Sequence, residues 1–166
     1  MPGHSSLSAR LLSELDELEK TINRCLDIWS QFESTSDDHY LDGVAFNLQA
    51  FYTGVERSLE LIIAQVDQDR PAGPNWHQVL LQTAATEIHQ LRPAVISLAT
   101  QDVLDRYRGF RHVARNIYGF EIDVEQLTPL IHDLRDTFER FKGDLERFAQ
   151  LLAQAESDQE QDETPD

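Results

Sequence analysis

Arg108-Gly109-Phe110-Arg111-His112-Val113-Ala114-Arg115-Asn116-Ile117-Tyr118-Gly119 stands in a chain that otherwise reads as plain amphipathic helix. An α-helix advances about 100° per residue. On that wheel Val103, Phe110, Val113, Ala114 and Ile117 share one arc. Arg108, Arg111, His112, Arg115 and Asn116 fall on the opposite side, with Tyr107 and Tyr118 at the border. One face is therefore core, and the other gathers three guanidiniums, an imidazole and an amide. Nothing on that polar face is acidic; Asp105 and Glu121 lie just outside the stretch. A basic helix face is often no more than a solvated one. Three arginines this close together, in a chain with 14 Lys+Arg against 30 Asp+Glu, suggest a local anion site instead. Arginine grips phosphate in bidentate fashion, which lysine cannot do.

Outward from that stretch the apolar residues keep helical spacing. Residues 7–31 read as a first helix, with Leu11, Leu15, Leu18, Ile22, Cys25 and Trp29 in an a/d-type stripe. Such a stripe suits packing inside the domain or across a dimer. Ser34-Thr35-Ser36-Asp37-Asp38 marks a loop and N-cap region. Residues 40–66 read as a second helix. Its Phe46, Leu48, Phe51, Val55, Leu59, Ile62, Ile63 and Val66 are too many for one stripe, so it is central and buried on several sides. Glu56, one turn after Tyr52, is either a surface charge or, facing inward, a partner for an arginine of the motif helix.

Asp69-Arg70-Pro71-Ala72-Gly73-Pro74-Asn75 is a strong breaker. A third helix is predicted over 76–90, with a connector or short helix over 91–99 because Pro93 disfavours helix before it. Thr100 and Asp102 are candidate caps for the motif helix, which is expected to reach about Tyr118 and close at Gly119. Asp123 caps a long last helix over 124–155. The acidic segment 156–166 is expected to be disordered. There is no strand pattern, repeat or Gly-rich phosphate loop. The expected fold is all-α, an up-and-down bundle of four to five helices over residues 5–155.

Composition narrows the function. No apolar run approaches the roughly 18 residues of a membrane span. Met1-Pro2-Gly3-His4-Ser5-Ser6 lacks the charged and apolar regions of a signal peptide, so a cytoplasmic protein is expected. The single cysteine, Cys25, excludes an internal disulfide and a Cys-based zinc site. His77, His89 and His132 have no metal-ligand spacing and read as surface or satisfied histidines. No metal or cofactor is expected, and no Ser-His-Asp order or Cys-His pair suggests covalent catalysis. The net charge of -16 argues against wide, non-specific DNA binding, which relies on neutralising many phosphates. A small nucleic-acid site or a basic protein partner remains compatible with it.

Arg111-His112-x-x-x-Asn116-x-Tyr118 resembles the signature of the HEPN superfamily, in its HepT-like branch. That signature is Arg, a polar residue, three more residues, His, one residue and Tyr. Arg111, His112 and Tyr118 match; position 116 is Asn where the signature has His. Phe110, the segment 119–123, Phe51-Tyr52-x-x-Val55-Glu56 and Trp76-His77 also resemble the family, and the resemblance covers roughly residues 5–152. It implies a metal-independent endoribonuclease, the toxin half of a toxin–antitoxin pair. Two motif helices would meet across a homodimer to form the cleft, and RNA (tRNA or mRNA) would be cut to a cyclic phosphate end. Arg111 would bind the phosphate, with Arg108 and Arg115 as further cations. Asn116 cannot act as a general base but can hydrogen-bond a ribose or phosphate. His112 lies four residues earlier, on the same side of the helix, and is the candidate base. In the family a cognate minimal nucleotidyltransferase attaches AMP to the Tyr, so Tyr118 is either that modification site or an ordinary interfacial tyrosine. The rival expectation is a non-catalytic module that keeps the anion cleft and docks a nucleotidyltransferase, a nucleotide or RNA.

Overall fold

The computed structural model describes residues 6–114 and 121–162, with side chains through 160. Among them run α1 (Leu7–Thr35), α2 (His39–Ile62), α3 (Trp76–Ala84), α4 (Leu98–Ala114) and α5 (Val124–Asp162). These described residues contain no strand, and the fold is the expected all-α bundle. No helix among them is long and apolar enough to cross a membrane.

α1 starts at Ser6, whose Oγ accepts the Ala9 amide at 3.2 Å, and ends at Ser36 with φ 55°. α2 then runs back along it. Glu14 pairs with Arg57, Leu18 meets Gly54, Cys25 Sγ donates to the Val44 carbonyl and Ile28 meets Gly43. Residue numbers fall on one helix as they rise on the other, so the pair is antiparallel. The same reasoning makes α5 antiparallel to α1, through Arg135–Asn23 and Lys142–Glu19. It makes α4 antiparallel to α5, through Thr100–Asp144 and Tyr107–Leu130. α2 touches all four other helices, and Phe51, Val55, Leu59 and Ile62 are fully buried on it. Phe46 departs from its expected place in this core and is 70% exposed. It lies about half a turn of the wheel from Leu48, Phe51 and Val55.

Two polar clamps set the shorter elements. After α2 a π-helical turn, Ile63–Asp67, takes an extra residue per turn and brings Asp67 against Arg92. Both side chains are buried. Arg92 Nη2 donates to Asp67 Oδ2 at 2.7 Å and to the Thr83 carbonyl at 3.1 Å; Nη1 donates to the carbonyls of Thr86 and Pro93. Arg92 thus takes carbonyls that a longer helix would use, and α3 stops at Ala84 rather than at Gln90. At α4 the cap is Ser97, not Thr100 or Asp102. Ser97 Oγ accepts the Thr100 amide at 3.1 Å, and Asp144 Oδ2 accepts both the Ser97 amide (3.0 Å) and the Thr100 hydroxyl (2.6 Å). α5 continues past Ala155 to Asp162 through a stretch in which Glu156, Gln159, Glu160 and Gln161 favour helix. The first part of the acidic segment is therefore helical, contrary to the expected disorder; residues 163–166, like the expected cap Gly119, lie outside the described residues.

A Cβ at Gly54 would stand 2.5 Å from Leu18 Cδ2, so glycine is what lets α1 and α2 approach. Gly54→Ala is expected to lower stability by ~1–3 kcal/mol in urea denaturation. An unchanged midpoint would mean that α1 yields freely. Burial also pushes the Cys25 thiol up to about 12. Iodoacetamide should therefore label Cys25 only after denaturation. Rapid labelling of the native protein would reveal local opening of the α1–α2 pair.

Candidate active site

The site starts from a carboxylate in the wrong place for a surface charge. Glu56 lies on the buried central helix, and its side chain is 4% exposed. An ion taken out of water must be paired. Two partners reach it from different elements. His77, in the first turn of α3 just after the Pro/Gly breaker, places Nδ1 2.6 Å from Glu56 Oε2. Arg111, from the last turn of α4, places Nη1 3.3 Å from Glu56 Oε1 and 3.3 Å from His77 Nδ1. The Trp76 ring stacks on the imidazole with centroids 3.6 Å apart and planes 30° from parallel. Glu56 therefore faces inward and pairs with an arginine of the motif helix, the second of its two expected readings.

Arg111 reaches α2 because the core face of α4 is turned from its predicted arc. Leu104, Tyr107 and Phe110 are buried, whereas Val113, expected in the core, is 43% exposed. Tyr107, expected at the border, is fully covered, and its hydroxyl donates to the Leu130 carbonyl at 2.7 Å. Arg111 follows one turn later on the flank of this face, and its side chain is 13% exposed.

Around these groups lies a cleft of about 270 Å³. Its walls are Pro74, Asn75, His77 and Gln78 from the start of α3, and Arg108, Arg111 and His112 from the end of α4. Among the described residues, no acidic one lines it. Arg108 is steadied from outside, with Nε donating to Asp105 Oδ1 at 2.6 Å, and that contact holds its guanidinium more firmly charged. Beneath the cleft the Tyr52 hydroxyl is buried without a hydrogen-bond partner among the described residues. Burial raises its pKa strongly. A larger groove of about 530 Å³ also borders Trp76 but mixes Arg57 and Arg70 with Glu60 and Asp69, so it offers no net anion preference.

The structure thus brings together Glu56, Arg108, Arg111 and His112 of the residues picked out in the sequence. Arg115, Asn116 and Tyr118 lie outside the described residues. His77 was read as a surface or satisfied histidine; it is satisfied, by Glu56, and it also walls the cleft. The one signal pointing to it was the resemblance of Trp76-His77 to the HepT-like branch.

Burial raises the Glu56 pKa, with the His77 hydrogen bond and the Arg111 charge acting the other way. The folded state then holds this proton more tightly than the unfolded chain. Its ionisation subtracts from stability as pH rises from the ordinary carboxylate value through the raised one. Glu56→Gln is accordingly expected to melt no lower than the wild type at neutral pH. The gap between them should close on acidification. A clear drop in melting temperature at neutral pH would mean that pairing with Arg111 and His77 outweighs desolvation.

A family model described as HepT-like protein matches residues 43–152. That span contains Glu56, His77 and Arg111 and every described residue of the cleft. No curated protein and no solved structure matches the chain. The match covers well over half of the 166 residues and agrees with the helical bundle, and the chain belongs to the HepT-like family of HEPN proteins.

Proposed function

We propose that this protein is a metal-independent endoribonuclease, the toxin of a toxin–antitoxin pair, and that it binds RNA phosphodiesters in the Arg111 cleft. The observation that carries the reading is the cleft, whose described lining residues include no acid. Two guanidiniums and two imidazoles line about 270 Å³ in a chain of net charge -16. A cationic recess in an anionic body attracts a single phosphate that fits and repels polyanion that does not. Arg111 is the phosphate ligand. Its contact with Glu56 leaves further guanidinium N–H groups for a phosphate oxygen and sets their direction before substrate arrives. An imidazole on the wall takes the 2′-OH proton, and the product carries a cyclic phosphate. Arg108 and Arg115 add positive potential, and Asn116 hydrogen-bonds the ribose or phosphate. The functional unit is a homodimer in the cytoplasm, neutralised by a minimal nucleotidyltransferase that modifies Tyr118. The likeness of Arg111-His112-x-x-x-Asn116-x-Tyr118 to the HepT-like signature supports these last assignments.

One observation favours a second reading. Asn116 stands where the signature has its His, and an amide cannot take a proton. On that reading the protein binds RNA, a nucleotide or a nucleotidyltransferase without cutting. A cleavage assay on total tRNA and mRNA, with chelator present, separates the two. The wild type is expected to cut, and Arg111→Ala to cut about 10²–10³-fold more slowly. Arg111→Lys should rescue little, because an ammonium cannot make the bidentate contact. Cleavage by Asn116→His alone would establish the binding module, with its cleft intact.

A further inference from the structure

We propose that His77 is the general base of this site and that Glu56 is its positioning residue; the inference rests on the ribonuclease reading above. Three features of the geometry carry it. First, an ionised carboxylate only accepts hydrogen bonds, so the 2.6 Å contact to Glu56 Oε2 puts the ring proton of neutral His77 on Nδ1. Nε2 is then the basic nitrogen. Second, the ring is held in orientation by Trp76, stacked 3.6 Å from it, and by the buried carboxylate. Third, His77 Nδ1 is 3.3 Å from Arg111 Nη1, a proximity and not a hydrogen bond when both nitrogens carry protons for Glu56, and both residues line the same cleft. A phosphate held by Arg111 therefore sits beside the imidazole. His112, the other imidazole of the wall, is exposed on the rim.

In the step itself the 2′-OH proton passes to His77 Nε2 as O2′ attacks phosphorus. The O2′–P bond forms and the P–O5′ bond breaks. O5′ leaves with a proton from water, giving a 2′,3′-cyclic phosphate and a 5′-hydroxyl. His77 then returns its proton to water. Glu56 from α2 stabilises the imidazolium formed on the way; Arg111, Arg108 and His112 from α4 oppose it when charged. Glu60, further along α2, adds negative charge near Glu56, and Asn75 and Gln78 on the α3 side are neutral.

The test is single-turnover RNA cleavage across pH, paired with binding of a 2′-O-methyl RNA that cannot be cut. His77→Ala and His77→Gln should bind that RNA as the wild type does, yet cut about 10²–10⁴-fold more slowly. Their rates should lose the fall-off at acid pH, and added imidazole should restore cleavage to His77→Ala. Glu56→Gln should keep the acid limb but move it to lower pH, because the imidazolium loses its carboxylate. His132→Ala, exposed on α5 and not among the residues that line the cleft, is the control expected at the wild-type rate. Wild-type cleavage by a folded His77→Ala overturns the proposal. So does an acid limb lost in His112→Ala but kept in His77→Ala, which assigns the base to His112. A wild type that binds the RNA and cuts nothing overturns the ribonuclease reading itself, and the base with it.

Discussion

A carboxylate buried in the middle of the central helix has to be paired, and three elements of this structure meet at that pairing. α2 supplies Glu56, α3 brings His77 and α4 brings Arg111. Desolvating the carboxylate is costly, and its partners offset the cost only when held close and well directed. The same condition that makes the ion group tolerable in the core makes it stiff. A guanidinium and an imidazole fixed before a ligand arrives need little reorganisation when charge develops beside them. Raised proton affinity at Glu56 is the thermodynamic trace of that arrangement: the site is kept at some expense to stability.

The bundle delivers these groups through contacts that are themselves polar. Asp144 on α5 accepts from Ser97 and Thr100 and so fixes where α4 begins. Tyr107, buried against α5, then fixes how α4 is rotated, and Arg111 follows one turn on. At the other wall, Asp67 and Arg92 tie the end of the π-helical turn to the segment after α3. α3 is short and lies between the breaker and this clamp. Its first turn, which carries Trp76 and His77, is thus tethered on both sides.

Much of the architecture could be read from apolar spacing. The stripes through Leu11 to Cys25 and through Leu127 to Phe148 are regular enough that both helices appear where expected, and most of the α2 core residues are buried as anticipated. The misreadings are cases where a distant side chain decides a local matter. Ala85 and Ile88 extend the helical pattern of α3, but Arg92 takes its carbonyls. Thr100 has the chemistry of a cap, yet Asp144 binds it and leaves Ser97 to cap the helix. The wheel of α4 omitted Leu104 and was centred too far toward Val113, because burial of a tyrosine depends on the Leu130 carbonyl it can reach. In the site, Arg111 and Glu56 were legible as types of residue. His77 was not, since its meaning comes from a carboxylate 21 residues earlier and a guanidinium 34 residues later.

The stacking of Trp76 on His77 has an optical consequence. Indole emission depends on the groups packed against the ring, and here the indole and the imidazole are in van der Waals contact. The chain's other tryptophan, Trp29, lies on α1 beside Phe32. Trp76 is therefore a built-in lamp on the wall of the cleft, so a ligand or movement that disturbs the His77 ring can be followed in solution without a label or turnover.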